Sequence, residues 1–233
     1  MRAAVTHARR TAVLGFGCVL VLLGGLIAGC GAGGSSASPG GGAAGGSAVV
    51  RLDDVAGASG VRGVRLDPPV RLPAITLTDT AGRPWTLPAA TDGRLTLLFF
   101  GYTSCPDICP TTVADLAAAL SLLTPAQRAR VHVVVATTDP IRDTGPVLRH
   151  WLDQFDSSFV GLTGPADAIT RLAGAAGVTF STPTTAADGG IIVPHSSQVT
   201  AIGPDGVARV GYQAGTDVAD YAHDLPLLLA GHS

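Results

Sequence analysis

The hydrophobic pattern of the chain divides into short continuous apolar runs and longer segments with helical spacing. Leu95–Tyr102 (LTLLFFGY) and Val131–Thr137 (VHVVVAT) are apolar throughout, which is typical of strands covered on both faces. Apolar residues recur at i, i+3, i+4 and i+7 in Val147–Phe155, which predicts an amphipathic helix. Further helices are predicted over Thr112–Leu123, over Ala166–Ala176 and from about Asp217 to Leu229.

Two β-hairpins are predicted, one at each end of this pattern. Ala74–Asp79 and Arg83–Leu87 flank an Ala-Gly turn and form an N-terminal hairpin. His195–Gly203 and Val207–Tyr212 flank a Pro-Asp-Gly turn. Strands that alternate with helices, followed by a terminal hairpin and helix, predict an α/β domain with a mixed central sheet flanked by helices.

The first thirty residues have the pattern of a bacterial lipoprotein signal peptide. Three arginines and a histidine in the first ten residues precede the apolar run Thr11–Ala28. Leu26–Cys30 (LIAGC) then resembles a lipobox, whose cysteine receives the lipid and becomes the mature N-terminus. We therefore expect a signal peptide at residues 1–30 and lipidation of Cys30. An uncleaved signal anchor with a chance cysteine is the alternative.

A flexible linker separates this leader from the globular part. Residues 31–47 (GAGGSSASPGGGAAGGS) have nothing to pack and would span ~20–25 Å as a random coil. The expected organisation is a linker and N-terminal extension at residues 31–67, followed by one domain at residues 68–231. A diacyl anchor on Cys30 would hold that domain at the extracytoplasmic face of the bacterial cell membrane.

Composition and cysteine usage narrow the function further. The 233 residues carry a net charge of −2 and only 14% charged residues, so there is no basic excess for nucleic-acid binding. Of four cysteines, Cys18 and Cys30 lie in the leader, which leaves Cys105 and Cys109 for the domain. One close pair is too few for a disulfide framework and indicates a redox or metal site.

Cys105 and Cys109 have C-x-x-x-C spacing directly after a predicted buried strand and at the head of a predicted helix, as in thioredoxin-like proteins. On a helix, residues four apart share a face, so both sulfurs can meet one ion. Amide groups at a helix N-terminus favour thiolates, which predicts lowered thiol pKa values. A pair of thiolates suits Cu(I) or Zn(II).

A third ligand should be a histidine from a distant strand. Two of the six histidines lie at the chain ends, His132 opens a buried strand, and His150 and His223 fall on helix surfaces. His195 begins a strand after a long Gly/Pro/Thr-rich loop and has the best context, although position alone leaves a structural role equally open. Three ligands are fewer than structural zinc requires, whereas Cu(I) accepts low coordination.

Three segments together resemble the Sco/SenC family over roughly residues 70–230. They are Phe99–Pro110 (FFGYTSCPDICP), Thr137–Leu148 (TTDPIRDTGPVL) and Pro194–Gly206 (PHSSQVTAIGPDG). The resemblance implies a thioredoxin-like fold and a membrane-tethered protein that helps assemble the CuA centre of cytochrome c oxidase.

Carried over to this chain, the resemblance implies that Cys105, Cys109 and His195 bind Cu(I) or Cu(II). Asp139 would support a metal ligand or contact a docking partner, and capping of a strand-to-helix loop is an equally good interpretation. Two residues depart from the family pattern: Gly145 replaces a bulkier or prolyl residue, and Pro194 stands where a polar residue is common.

The leading hypothesis is a copper metallochaperone, which is not an enzyme. Its partners would be the oxidase subunit that carries CuA and another copper chaperone as donor. The alternative is a thiol-disulfide oxidoreductase in which Cys105 and Cys109 are the redox residues that reduce the CuA cysteines. A peroxidase of the same fold is weaker, because no single cysteine with an arginine partner is evident.

Overall fold

A computed structural model describes residues 60–91, 93–179 and 197–231, together with the backbone of two short strands at 184–185 and 191–192. The predicted signal peptide, Cys30, the linker at 31–47 and His195 lie outside the described residues. The strands are β1 Val64–Arg71, β2 Ile75–Asp79, β3 Pro84–Leu87, β4 Leu95–Gly101, β5 Val131–Thr137, β6 Val160–Thr163, β7 Thr184–Thr185, β8 Ile191–Ile192, β9 Val199–Ile202 and β10 Val207–Tyr212. The helices are α1 Ile108–Ser121, α2 Pro125–Arg128, α3 Gly145–Leu152, α4 Ala166–Ala175 and α5 Val218–Leu229.

Eight strands form one mixed sheet in the order β1-β10-β9-β4-β5-β6-β2-β3. The central strand β4 pairs in parallel with β5, from Leu95 opposite Val131 to Gly101 opposite Thr137, and antiparallel with β9. Strand β6 continues the parallel part beside β5. The predicted mixed central sheet with flanking helices is therefore confirmed.

The sheet separates two hydrophobic cores, because alternate residues of a strand point to opposite faces. On one face Leu97 and Phe99 of β4 pack with residues of α1, α3 and α5. On the other face Leu98 and Phe100 pack with residues of α4. Both faces of β4 are covered, which explains its unbroken apolar sequence.

Strand β1 is an element that the hydrophobic pattern did not predict. It begins at Val64, four residues before the domain boundary expected at residue 68, and pairs antiparallel with β10. Its register shifts between Arg65 and Val70, across Pro68 and Pro69. Prolines lack the N–H that a ladder needs and are tolerated at edges and bulges, which is where this strand lies.

The helix predicted over Val147–Phe155 lies slightly earlier in the chain, because α3 begins at Gly145 and ends at Leu152. A Cβ atom at Gly145 would lie 3.0 Å from the backbone oxygen of Thr80, in the turn between β2 and β3. The start of α3 packs against that turn, so a bulkier residue would push the two segments apart.

None of the helices in the described part of the chain has the length and apolar character of a membrane span.

Candidate metal site

The two cysteines of the domain flank the start of helix α1. Strand β4 ends at Gly101 and α1 begins at Ile108, so Cys105 lies in the intervening loop and Cys109 in the first helical turn. The expectation that both lie on one helical face was wrong for Cys105, whose N–H donates to the Tyr102 carbonyl at 3.2 Å in a turn. The two thiols nevertheless lie close enough to interact, and the neighbouring Cys105 raises the pKa of the Cys109 thiol.

Cys109 is a core residue as well as a candidate ligand. Its side chain is fully buried, whereas Cys105 is partly exposed, and both are free thiols. Burial raises the pKa of the Cys109 thiol, and the neighbouring Cys105 and Asp143 raise it further, against the opposing effect of the Tyr102 N–H. The predicted lowering of the thiol pKa was therefore wrong for Cys109, since desolvation outweighs the helix N-terminus.

A glycine lets the Cys109 sulfur lie against the end of the central strand. A Cβ atom at Gly101 would stand 3.0 Å from Cys109 Sγ and 2.7 Å from a ring carbon of Phe99. The distance to Phe99 is shorter than real Cβ contacts show, and the distance to Cys109 Sγ is tighter than most of them. Gly101 is thus required for close packing between strand and sulfur, a role that the sequence analysis did not assign.

A buried carboxylate that the sequence analysis also missed supports the cysteine loop. Asp143 is fully buried and accepts hydrogen bonds from the Thr103 N–H at 3.0 Å and the Thr103 hydroxyl at 2.5 Å. It accepts a third bond, from the Thr137 hydroxyl at 2.6 Å. Asp143 therefore ties the loop that carries Cys105 to the end of β5.

Asp139, the acidic residue singled out from the sequence, makes its described contacts within its own loop. Its carboxylate forms an ion pair with Arg142, three residues along the chain. Its N–H donates to the Thr137 hydroxyl at 2.9 Å, and its carbonyl accepts from the Asp143 N–H at 2.9 Å. These contacts are those of a residue that caps the loop after β5. A role beside the metal stays a prediction.

The described histidines have the surroundings expected of residues outside a metal site. His132 lies in β5 and contacts Arg94. His150 and His223 are exposed on helices, and His223 pairs with Asp224 at 2.8 Å. Within the described ranges no group of three metal-ligating side chains occurs, and His195 lies outside them. The described geometry thus brings Cys105 and Cys109 together and leaves the position of His195 as a prediction.

The paired thiols fit a soft metal ion. Two sulfur donors favour Cu(I) over hard cations, and the partly exposed Cys105 gives the ion a route to solvent. The same arrangement also suits dithiol chemistry, because both sulfurs are reduced and in contact.

Residues 71–230 match the model of the SCO1/SenC family. The chain belongs to this family. A Stutzerimonas stutzeri protein named "Putative copper-binding protein" is 35% identical over 158 residues, which cover 68% of this chain and 76% of that protein. Yeast (Saccharomyces cerevisiae) mitochondrial SCO2 is 36% identical over 107 residues, which cover 46% of this chain and only 35% of the yeast protein.

Solved structures of Sco proteins confirm the thioredoxin-like fold. Arabidopsis thaliana ScoI with copper bound superposes with a TM-score of 0.64 at 27% identity and covers 69% of this chain and 98% of that chain. Yeast Sco1 with copper bound gives a TM-score of 0.61 at 28% identity, covering 68% and 87%. Copper, the metal expected from the sequence, is thus the metal found in these two relatives.

Proposed function

We propose that this protein is a copper metallochaperone, in which Cys105, Cys109 and His195 bind copper. Its recipient is the CuA-bearing subunit of cytochrome c oxidase, and another copper chaperone is its donor. The observation that carries the proposal is the pair of neighbouring thiols after β4, in a family of which two solved members have copper bound.

Copper binding at this pair must displace protons. Because the pKa of Cys109 is raised by burial, its thiol is protonated at neutral pH, and the metal gains its thiolate ligand only as the proton leaves. The affinity for copper therefore rises with pH. Cys105 is the more exposed ligand, so an incoming thiolate of the recipient replaces Cys105 first and Cys109 last.

The ligand set is tested by copper titration of the purified protein. We expect one copper per chain, and a thiolate-to-Cu(II) charge-transfer band for the oxidised ion. Cys105→Ser, Cys109→Ser and His195→Ala should each weaken binding against a competing chelator, whereas His150→Ala, on an exposed helix surface, should not. Equal affinities for His195→Ala and His150→Ala would refute the role of His195.

We also propose that the protein is a lipoprotein held at the extracytoplasmic face of the membrane. The support is the leader ending in Leu26–Cys30 and the linker that follows it. Cys30→Ser should abolish the incorporation of labelled fatty acid into the protein, while Cys18→Ser should leave the incorporation unchanged. Equal labelling of the two variants would contradict lipidation at Cys30.

A second candidate function is reduction of the CuA cysteines, favoured by the contact between two free thiols. In this reaction Cys105 and Cys109 form a disulfide and give two electrons and two protons to the substrate disulfide. His195→Ala should then preserve activity on a disulfide substrate, while Cys105→Ser abolishes it. Loss of activity in both variants would instead tie the chemistry to the metal.

A further inference from the structure

Asp143 lies at a crossing of two loops at one edge of the sheet. Parallel pairing of β4 with β5 places Gly101 opposite Thr137, so the loops that follow the two strands leave the sheet side by side. The Thr138 N–H donates to the Gly101 carbonyl at 2.8 Å and continues this contact. The Asp143 carboxylate then joins the loops through side chains.

The bonds to Thr103 fix both backbone and side chain of one residue in the cysteine loop. The Thr103 hydroxyl donates to Asp143 Oδ1, while the Thr103 N–H donates to Asp143 Oδ2, which also accepts from the Thr137 hydroxyl. A fully buried carboxylate with three short donors is a rigid support, since no water competes for these bonds. Thr103 stands two residues before Cys105.

We propose that Asp143 is a positioning residue that holds the Tyr102–Cys105 loop over Cys109 and so sets the geometry of the thiol pair. The expected effect of Asp143 on copper binding rests on the proposed function, whereas its effect on the geometry of the two thiols does not. Asp143 acts through Thr103, without touching either sulfur in the described contacts. Its negative charge near Cys109 adds an electrostatic effect in the same place, consistent with the direction of the Cys109 pKa.

The structure offers a matched control in Asp224. This carboxylate is also fully buried, and it accepts bonds from the Arg62 and Gly63 N–H groups and the Tyr212 hydroxyl. It ties the residues just before β1 and the end of β10 to α5, and these donors lie outside the cysteine loop. Asp224→Asn should therefore cost stability much as Asp143→Asn does, without acting on the thiols through Thr103.

The test measures thiol exposure and copper affinity in the full-length protein. Peptide-resolved mass spectrometry gives the rate at which iodoacetamide alkylates Cys109 in metal-free folded protein. Asp143→Asn should raise this rate at least tenfold and lower the affinity for Cu(I) about 10–100-fold, as is usual when a residue supporting a metal ligand is changed. Asp224→Asn should leave both near wild type.

A milder pair of variants covers the case in which Asp143→Asn does not fold. Thr103→Val removes one donor and should raise the Cys109 alkylation rate, while Thr103→Ser, which keeps the hydroxyl, should restore it. Equal alkylation rates in wild type, Asp143→Asn and Thr103→Val would overturn the proposal, as would equal effects of Asp143→Asn and Asp224→Asn. A wild-type protein that binds no copper refutes the proposed function instead, and the alkylation rates still decide the role of Asp143.

Discussion

Replacing Gly101 with alanine tests whether the packing of Cys109 against β4 is as tight as the structure indicates. The new Cβ would lie 2.7 Å from a ring carbon of Phe99 and 3.0 Å from Cys109 Sγ. Both neighbours are fully buried, so neither can move without disturbing the core. Overpacking of this kind costs about 1–3 kcal/mol. For a domain of this size, that lowers the melting temperature by about 3–10 °C.

The matched control is the same substitution at Gly174. This residue lies on the exposed side of α4, and a Cβ there meets nothing within 4 Å. Alanine is favoured over glycine inside a helix by about 0.5–1 kcal/mol, so Gly174→Ala should raise the melting temperature by a few degrees. The same glycine-to-alanine change is therefore expected to lower the melting temperature at position 101 and to raise it at position 174.

The assay is thermal unfolding of reduced, metal-free protein followed by circular dichroism, with the Cu(I) affinity of each variant measured in parallel. Gly101→Ala should also weaken copper binding, because the Cys109 sulfur must shift to admit the methyl group. A Gly101→Ala protein with wild-type stability and wild-type copper affinity would refute the reasoning. It would mean that Phe99 and Cys109 have room that the structure does not show.

Two further predictions concern buried ionisable groups. Asp224→Ala should lower the free energy of unfolding by about 3 kcal/mol in denaturant titration, because its buried donors, the Tyr212 hydroxyl among them, lose a charged acceptor; a loss below 1 kcal/mol would contradict this. Burial raises the pKa values of Cys109, Tyr212 and Tyr221, so above about pH 9 the unfolded chain releases protons that the folded chain keeps. Stability should therefore fall as pH rises through that range, with a shallower fall in Tyr221→Phe; a pH-independent midpoint of unfolding between pH 8 and pH 11 would contradict the buried state of these groups.

The central strands could be predicted from the sequence, while the edge strand β1 could not. Strands β4 and β5 are covered on both faces, so their residues are almost all apolar and each strand can be recognised as an apolar run in the sequence. Strand β1 is mostly exposed, contains Pro68 and Pro69, and is held by pairing with β10. Strand β1 forms because it pairs with β10, more than 130 residues away, and a local sequence pattern cannot predict such a distant pairing.

The candidate site also has one part that could be predicted from the sequence and one part that could not. Cys105 and Cys109 are close in sequence, so their spacing alone predicts a shared site. The role of Asp143 depends on the parallel pairing that brings Thr103 and Thr137 together, two residues separated in sequence by α1, α2 and most of β5. The only local signal for Asp143 is that it is a second aspartate after β5, in the same segment as Asp139. The prediction of a lowered pKa for the Cys109 thiol was wrong because the sequence pattern shows where a helix starts but not how deeply the thiol is buried.

The position of Cys109 inside the core on one face of the sheet has a consequence for how the protein can evolve. Under the proposed function, selection for a well-packed interior and selection for metal affinity act on the same sulfur atom, since Cys109 packs in one cluster with side chains of α1, α3 and α5. Substitutions that repack the side chains around Cys109 should therefore change copper affinity as well as stability. Side chains on the opposite face, around Leu98 and Phe100, belong to a separate cluster that does not include Cys109.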